Sequence, residues 1–405
     1  MLSRLAVFLC LFVLQLPTKV AAQTFNRSEL RLLHELKHEP NELARYQYLI
    51  DETPKLSSGD QILAAQFLSF TQDELGIYNQ AVFSFPLKNR LPADLVLPKI
   101  TDWKAVNAID AITKLAEHRR IVLINEAHHD AHTRELTLAL LPRLKALGFT
   151  YFAAEALSDD DPSLTHRGYP ISTSGTEYLQ EPLYGDIIRT AIKLGFVIVP
   201  YDNEYTGQAR ENAQAETLYE KVFAKNRHAR LFVHAGYAHI DKEIGRLGSL
   251  HPMAMRLQSL TGIDPLSIDQ TEFLESNMDS KDAYHRLIGA FPSKAPEILI
   301  NRNSGKPWSD RPTLYDINVI LPIALNMQAF GGDNSMDDAI TVRHVTGIPQ
   351  VSSGDRMYRP AWLSLNGTRH PFPITTALCR SIIPCVVEAN YIDEPTSPAL
   401  SSGTV

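Results

Sequence analysis

The chain has 405 residues, of which 44% are hydrophobic and 21% charged, and its formal net charge is -7. That length supports one large domain or two ordinary ones around a sizeable core. The composition is that of a globular protein rather than a disordered or membrane-embedded one, and the absence of a basic run argues against nucleic acid as a partner.

The first 22 residues read as a secretory signal. Arg4 supplies a short positive region, Leu5 to Leu16 an apolar stretch too short to span a bilayer comfortably, and Val20-Ala21-Ala22 the small residues before a cut ahead of Gln23. The expected location is secreted or periplasmic, with no membrane contact once the signal is removed. Residues 23–116 form an expected helical N-terminal segment packed on the core. Leu30, Leu32, Leu33 and Leu36, then Ile62, Leu63, Phe67, Leu68 and Phe70, recur at helical spacing. Pro86, Pro92 and Pro98 then interrupt the pattern.

Residues 117–350 form an expected α/β domain, in which strand-like and helix-like stretches alternate from Arg119 to about Gln270 and the pattern weakens beyond Ser276. The pattern predicts an α/β domain with a mostly parallel central sheet and helices on both faces. Four apolar runs end in acids or histidines. Ile121 to Ile124 leads to Asn125-Glu126-Ala127-His128-His129. Tyr151 to Ala154 leads to Glu155, Phe196 to Val199 to Asp202, and Leu231 to Val233 to His234, with His239 close behind. A fifth strand is expected at Pro265 to Ile268, before Asp269. Helices are expected from about Asp130 or Thr133 to Gly148, from Pro182 to Leu194, and from Ala209 to Lys225. The long polar connection Ser158 to Gly175 suits either a binding loop or a surface excursion. Residues 351–405 read as a C-terminal extension. After signal removal Cys379 and Cys385 are the remaining cysteines, an expected structural disulfide in an exported chain. Residues 394–405 are rich in Ser and Pro and read as a flexible tail.

Buried strands need apolar side chains, not carboxylates and imidazoles at their tips. In open α/β sheets, ligands bind outside the carboxyl ends of the strands. Glu126, His128, His129, Glu155 and His239 are therefore the candidate catalytic set: imidazole titrates near neutrality and a carboxylate can fix its tautomer. The same types suit a divalent metal, for which Glu126, His128, Glu155 and His239 would be the ligands. Arg134, Arg210, Asp202, His234 and Tyr237 are candidates for holding substrate. There is no G-x-S-x-G elbow, no H-E-x-x-H, no phosphate-binding loop and no dinucleotide fingerprint. A hydrolase of this kind would activate water directly.

The motifs Asn125-Glu126-Ala127-His128-His129, Ala154-Glu155, Arg210-Glu211 and His234-Ala235-Gly236-Tyr237-Ala238-His239 resemble the superfamily that joins erythromycin esterases, the ChaN haem-binding lipoproteins and the Tiki/TraB proteins. The resemblance covers about residues 119–242. Asn125 stands where that family has glycine. His129 matches the esterase spacing and His128 the ChaN spacing, so the motif does not choose a branch. The family implies an α/β sheet with a cleft at its rim. Its esterase branch implies metal-independent hydrolysis with histidine activating water, its Tiki branch a metal-dependent peptidase, and its ChaN branch haem or iron binding without catalysis. The expectation carried forward is an exported hydrolase of an ester or related acyl bond. It would act on a small molecule or peptide and need no cofactor, with divalent metal or haem as the alternatives.

Overall fold

A computed structural model describes residues 26–39, 42–75, 78–86, 91, 95–276 and 279–323, together with short strands between 349 and 404. The expected signal peptide, residues 1–22, and both cysteines of the expected disulfide, Cys379 and Cys385, lie outside the described residues. No helix among the described residues is long and apolar enough to cross a membrane.

The chain opens with four helices: α1 (Arg27–His38), α2 (Glu42–Glu52), α3 (Ser58–Glu74) and α4 (Tyr78–Ser84). Asn26 and Glu29 close a reciprocal capping box on α1. Leu32 and Leu36 pack with Leu49, Leu63 and Ala64 in a small core of their own. The C-terminal half of α3 is buried on every side rather than along one stripe. Gln66, Ser69, Thr71, Gln72 and Asp73 are all buried there. Phe70 and Phe85 join the main core, Phe70 lying edge-on to Phe85 and to Tyr178 at 6.3 and 5.8 Å.

The helical stretch expected as far as Ala116 gives way earlier. β1 (Trp103–Asn107) is an edge strand and α5 (Ala108–Ala116) follows it. Asn107 caps α5 by accepting from the Asp110 N–H. The strand is short and half-exposed, so its apolar residues carry no clear period of two. It forms because an antiparallel partner, β7 below, lies beside it.

The sheet then follows in chain order: β2 (Ile121–Glu126), α6 (His132–Ala146), β3 (Tyr151–Ala154), α7 (Leu164–Arg167), α8 (Pro182–Lys193), β4 (Val197–Pro200), α9 (Gly207–Leu218), β5 (Leu231–Gly236), α10 (Met253–Thr261), β6 (Leu266–Asp269), α11 (Ala283–Ala290), β7 (Glu297–Asn301) and β8 (Ile317–Ile320). Its order is β1-β7-β8-β6-β2-β5-β3-β4. The six strands from β8 to β4 are mutually parallel, and β7 runs against both its neighbours. Side chains of α5, α6 and α8 cover one face and those of α9 and α10 the other. The mostly parallel α/β sheet with helices on both faces is therefore present. The central strands are apolar on both faces, as buried parallel strands must be. In the extension, Ser401–Thr404 lies within the expected tail yet pairs antiparallel with Val386–Ala389, a ladder needing only backbone hydrogen bonds.

This topology fixes where a site can form. From β2 the chain leaves through α6 toward β3. From β5 it leaves through α10 toward β6, on the opposite side. The direction of winding reverses between β2 and β5, and crevices open at such reversals. The two strands end level, with Glu126 paired to Gly236. Asn125 locks that edge. Its side-chain amide donates to the Tyr237 carbonyl at 2.8 Å and to Asp269 Oδ1 at 2.7 Å, and its oxygen accepts from the Gln270 N–H at 2.6 Å.

Candidate functional site

Alternation along β2 places Val122, Ile124 and Glu126 on the face covered by α6. Glu126 is the last of them, 2% exposed. Its Oε1 accepts from His128 Nδ1 at 2.9 Å and its Oε2 from Arg134 Nε at 2.6 Å. His234 Nε2 stands 3.3 Å from the same Oε2, while His234 Nδ1 meets the Thr137 hydroxyl at 2.9 Å. Burial alone would raise the Glu126 pKa. Arg134 and His234 outweigh it and hold the carboxyl well below the usual range. An ionised carboxylate only accepts, so the proton of His128 sits on Nδ1. His128 Nε2 is buried, with no hydrogen-bond partner among the described residues. The ring is gripped by aromatics. Tyr178 stacks on it at 4.4 Å and 13°, and Tyr237 meets it edge-on at 5.1 Å. Tyr237 achieves this from a positive φ of 40°, a conformation uncommon for such a residue.

The second carboxylate comes from the tip of β3. Glu155 Oε1 accepts from Arg210 Nη2 at 2.5 Å, and Oε2 accepts from the backbone N–H of Gly236. Arg210, near the start of α9, is also clamped by Asp202 through Nε at 3.0 Å and Nη2 at 2.7 Å. Its Nη1 donates to His239 Nε2 at 3.1 Å. His239 lies on the single turn after β5, its Nδ1 2.8 Å from Glu211 and its Nε2 3.4 Å from Glu155. Burial raises the Glu155 pKa, but His239, Arg210 and His128 together bring it down to about 2. Burial likewise disfavours a charged His239 ring, and Glu211 and Glu155 override it to raise that pKa. Gly236 is what lets the two halves meet. A Cβ there would sit 2.5 Å from His128 Nε2 and 3.2 Å from Glu155 Oε2.

The strand ends thus bring Glu126, His128, Glu155, His234 and His239 into one connected cluster. The structure separates the two adjacent histidines. His128 enters the cluster. His129 stacks on Phe85 at 3.7 Å and pairs with the Tyr237 hydroxyl at 2.9 Å. The arginines, expected to hold substrate, are engaged with the protein. Arg134 donates to Glu126, to Glu181 at 3.2 Å and to the His128 carbonyl at 3.1 Å, and Arg210 is spent as described. Asp202 faces Arg210 and Gln214. His234 is completely buried behind Glu126.

A cavity of about 20 Å³, room for about one water, touches His128 and Arg134 and continues against the N-terminal helices. Phe70, Asp73 and Glu74 of α3 line it with Arg45, Tyr178 and Glu181. Sequence reasoning missed Asp73, Tyr178 and Glu181. No local pattern marks them: Gln66, Ser69, Thr71, Gln72 and Asp73 read as solvent-facing in sequence, yet all are buried. Tyr178 and Glu181 sit on a turn just beyond the long polar connection.

A divalent metal fits this donor set poorly. Glu126 and Glu155 each share an oxygen with a guanidinium. His128 Nδ1 is taken by Glu126, and His239 Nε2 faces Arg210. Among the described residues no three His, Cys, Asp or Glu side chains gather as a metal-ligating group.

No protein-family model matches the chain, and no curated protein sequence matches it. Among solved structures it is similar to the type III effector HopBA1, at 16% identity over 48% of this chain and 94% of that one, with a TM-score of 0.30. It is also similar to two structures described as bacterial protein toxins. One shows 14% identity over 64% of this chain and 48% of that one, and the other 16% over 53% and 46%, each with a TM-score of 0.31. The chain therefore spans about half the length of either toxin.

Proposed function

We propose that the protein is an exported hydrolase of an ester or related acyl bond in a small molecule or peptide, working without a metal in the manner implied by the esterase branch of the superfamily it resembles. The observation that carries this reading is His128. Its Nδ1 is fixed by Glu126, its Nε2 has no hydrogen-bond partner among the described residues, and the residue lines a cavity with room for about one water. That is the arrangement a general base needs.

In the proposed reaction His128 Nε2 takes a proton from water as the water oxygen bonds to the acyl carbon. The bond from that carbon to the leaving oxygen then breaks. Glu126 keeps the base in the correct tautomer, and Glu155, on the other side of the ring, stabilises the imidazolium that forms. Arg134, engaged with Glu126, Glu181 and the His128 carbonyl, holds Glu126 in place. His239, Arg210, Glu211 and Asp202 act through Glu155. They fix its position and keep it ionised. Tyr178 and Tyr237 pack the ring of His128 in place, and His129 holds the Tyr237 hydroxyl.

The test is hydrolysis of activated aryl esters by protein treated with chelator. His128→Ala is expected to remove turnover, and Glu155→Gln to lower kcat roughly a hundred- to ten-thousand-fold with an unchanged far-UV circular dichroism spectrum. Full activity in either variant, or activity restored only by added metal, rejects the reading. Export predicts a mature protein whose N-terminal sequence starts at Gln23.

A further inference from the structure

We propose that Asp73, supplied by the N-terminal helices rather than by the sheet, is the general acid of this site and protonates the leaving group of the bond that His128-activated water attacks. The proposal rests on the hydrolase reading above and extends it to a second proton transfer.

Asp73 lies in the last turn of α3 and is 2% exposed. Neither carboxyl oxygen has a hydrogen-bond partner among the described residues, and both are shut off from solvent. Yet the residue lines the same cavity as His128. The groups facing it are Arg134, Asp130, Glu181 and His132, with Glu74 next to it on its own helix. None of them satisfies it. Arg134 gives its N–H groups to Glu126, Glu181 and the His128 carbonyl. His132 gives Nδ1 to Asp130 at 2.7 Å, and Glu74 is held by Arg45 at 2.7 Å. A buried carboxylate with no donors is strongly disfavoured, so the group stays a neutral acid. Burial pushes its pKa well above the usual range, with Arg134 pulling the other way. A core position that only needed filling would hold Leu. The Asp73 carboxyl, without a partner, and His128, whose Nε2 has none, line the same cavity. That pattern marks acid and base roles.

The proton balance closes. His128 Nε2 takes one proton from water and the hydroxide oxygen joins the acyl carbon. As the carbon–oxygen bond to the leaving group breaks, its electron pair goes to the leaving oxygen, which takes the Asp73 proton. The imidazolium of His128 then returns a proton to the Asp73 carboxylate through water. Acid and alcohol leave, and no co-reactant is consumed.

General acid help matters for a poor leaving group and little for a good one. The experiment compares wild type and Asp73→Asn on an alkyl ester and on the p-nitrophenyl ester of the same acid. The amide cannot act as an acid. Its alkyl-ester kcat is expected to fall about a hundredfold or more, while p-nitrophenyl turnover changes only a few-fold. Asp73→Ser serves for the same comparison if the amide misfolds. Infrared difference spectra of wild type minus variant at neutral pH are expected to carry the carbonyl stretch of a protonated carboxylic acid. Equal losses on both esters, no loss on either, or absence of that band overturns the proposal. A wild type inert toward both esters, or a His128→Ala protein as active as wild type, instead overturns the hydrolase reading and this proposal with it.

Discussion

At Gly236 the absence of one methyl group keeps the site open. His128 Nε2 and Glu155 Oε2 both crowd the place where its Cβ would be, at 2.5 and 3.2 Å. Gly236→Ala is therefore expected to push the imidazole off Glu126 and lower kcat at least tenfold, since misplacement of a base by about 1 Å is worth about a hundredfold. The sheet should survive, because the backbone at Gly236 is ordinary extended chain with φ -77°. Steady-state kinetics together with a thermal melt check both halves of this expectation. The same neighbourhood shows what adjacency in sequence conceals. His128 and His129 are equivalent as letters. A tight turn closes between Ala127 and Asp130, and the two rings on it stack on different partners, His128 on Tyr178 and His129 on Phe85. Which histidine turns inward depends on Tyr178 and Phe85, residues distant in sequence that no local spacing exposes.

Among the elements, the tips of β2, β5 and β6 behave as one unit because Asn125 ties them together. Asn125→Ala removes a donor to Tyr237 and Asp269 and an acceptor for the Gln270 N–H, all in a buried setting. An abandoned buried polar group costs about 1–3 kcal/mol, so urea unfolding is expected to show a loss of that order. A change below about 0.5 kcal/mol would mean the tie is idle. The strands were legible because buried parallel strands spell themselves as apolar runs. The ends of α6, α8 and α9 fell within a few residues of expectation, with Gly195 stopping α8 and a π turn over Tyr219–Phe223 continuing α9. Two elements were not legible in the same way. β1 is a half-buried edge strand whose identity depends on β7, almost two hundred residues later. The C-terminal half of α3 buries amides, hydroxyls and a carboxylate, which a search for apolar periodicity treats as solvent-facing.

For the molecule as a whole, buried charges of opposite tendency set the pH range of stability. Glu155 is held at about 2 in the fold against an ordinary 4.5. Its stabilisation is complete above 4.5 and is lost as the pH falls toward 2. His132 is buried, which opposes its charge, but Asp130 beside it lifts its pKa from 6.5 to about 9. That stabilisation is complete below 6.5 and is lost as the pH rises through 9. Glu135 is raised by burial from 4.5 to about 8, with one oxygen unpartnered. It favours the fold while protonated, and its contribution declines as the pH climbs over that interval. Together they place maximum thermal stability between about pH 4.5 and 6.5. Tm is expected to fall by several degrees from pH 6.5 to 9. A flat or rising Tm there would show that the Asp130–His132 pair and Glu135 titrate normally.

The seating of β5 between β2 and β3 has a consequence for synthesis. These two strands share no direct pairing. Each pairs with β5, along Ile121–Glu126 on one side and Tyr151–Ala154 on the other. A nascent polypeptide that has emerged only as far as Arg230 holds both flanking strands with the partner they need still missing. Stop codons placed before Leu231 should yield protease-sensitive fragments, whereas release after Gly236 brings the two acid-bearing tips into register for the first time. The assembly of a hydrophobic interior and the creation of a reactive centre would then be a single event on the ribosome's timetable.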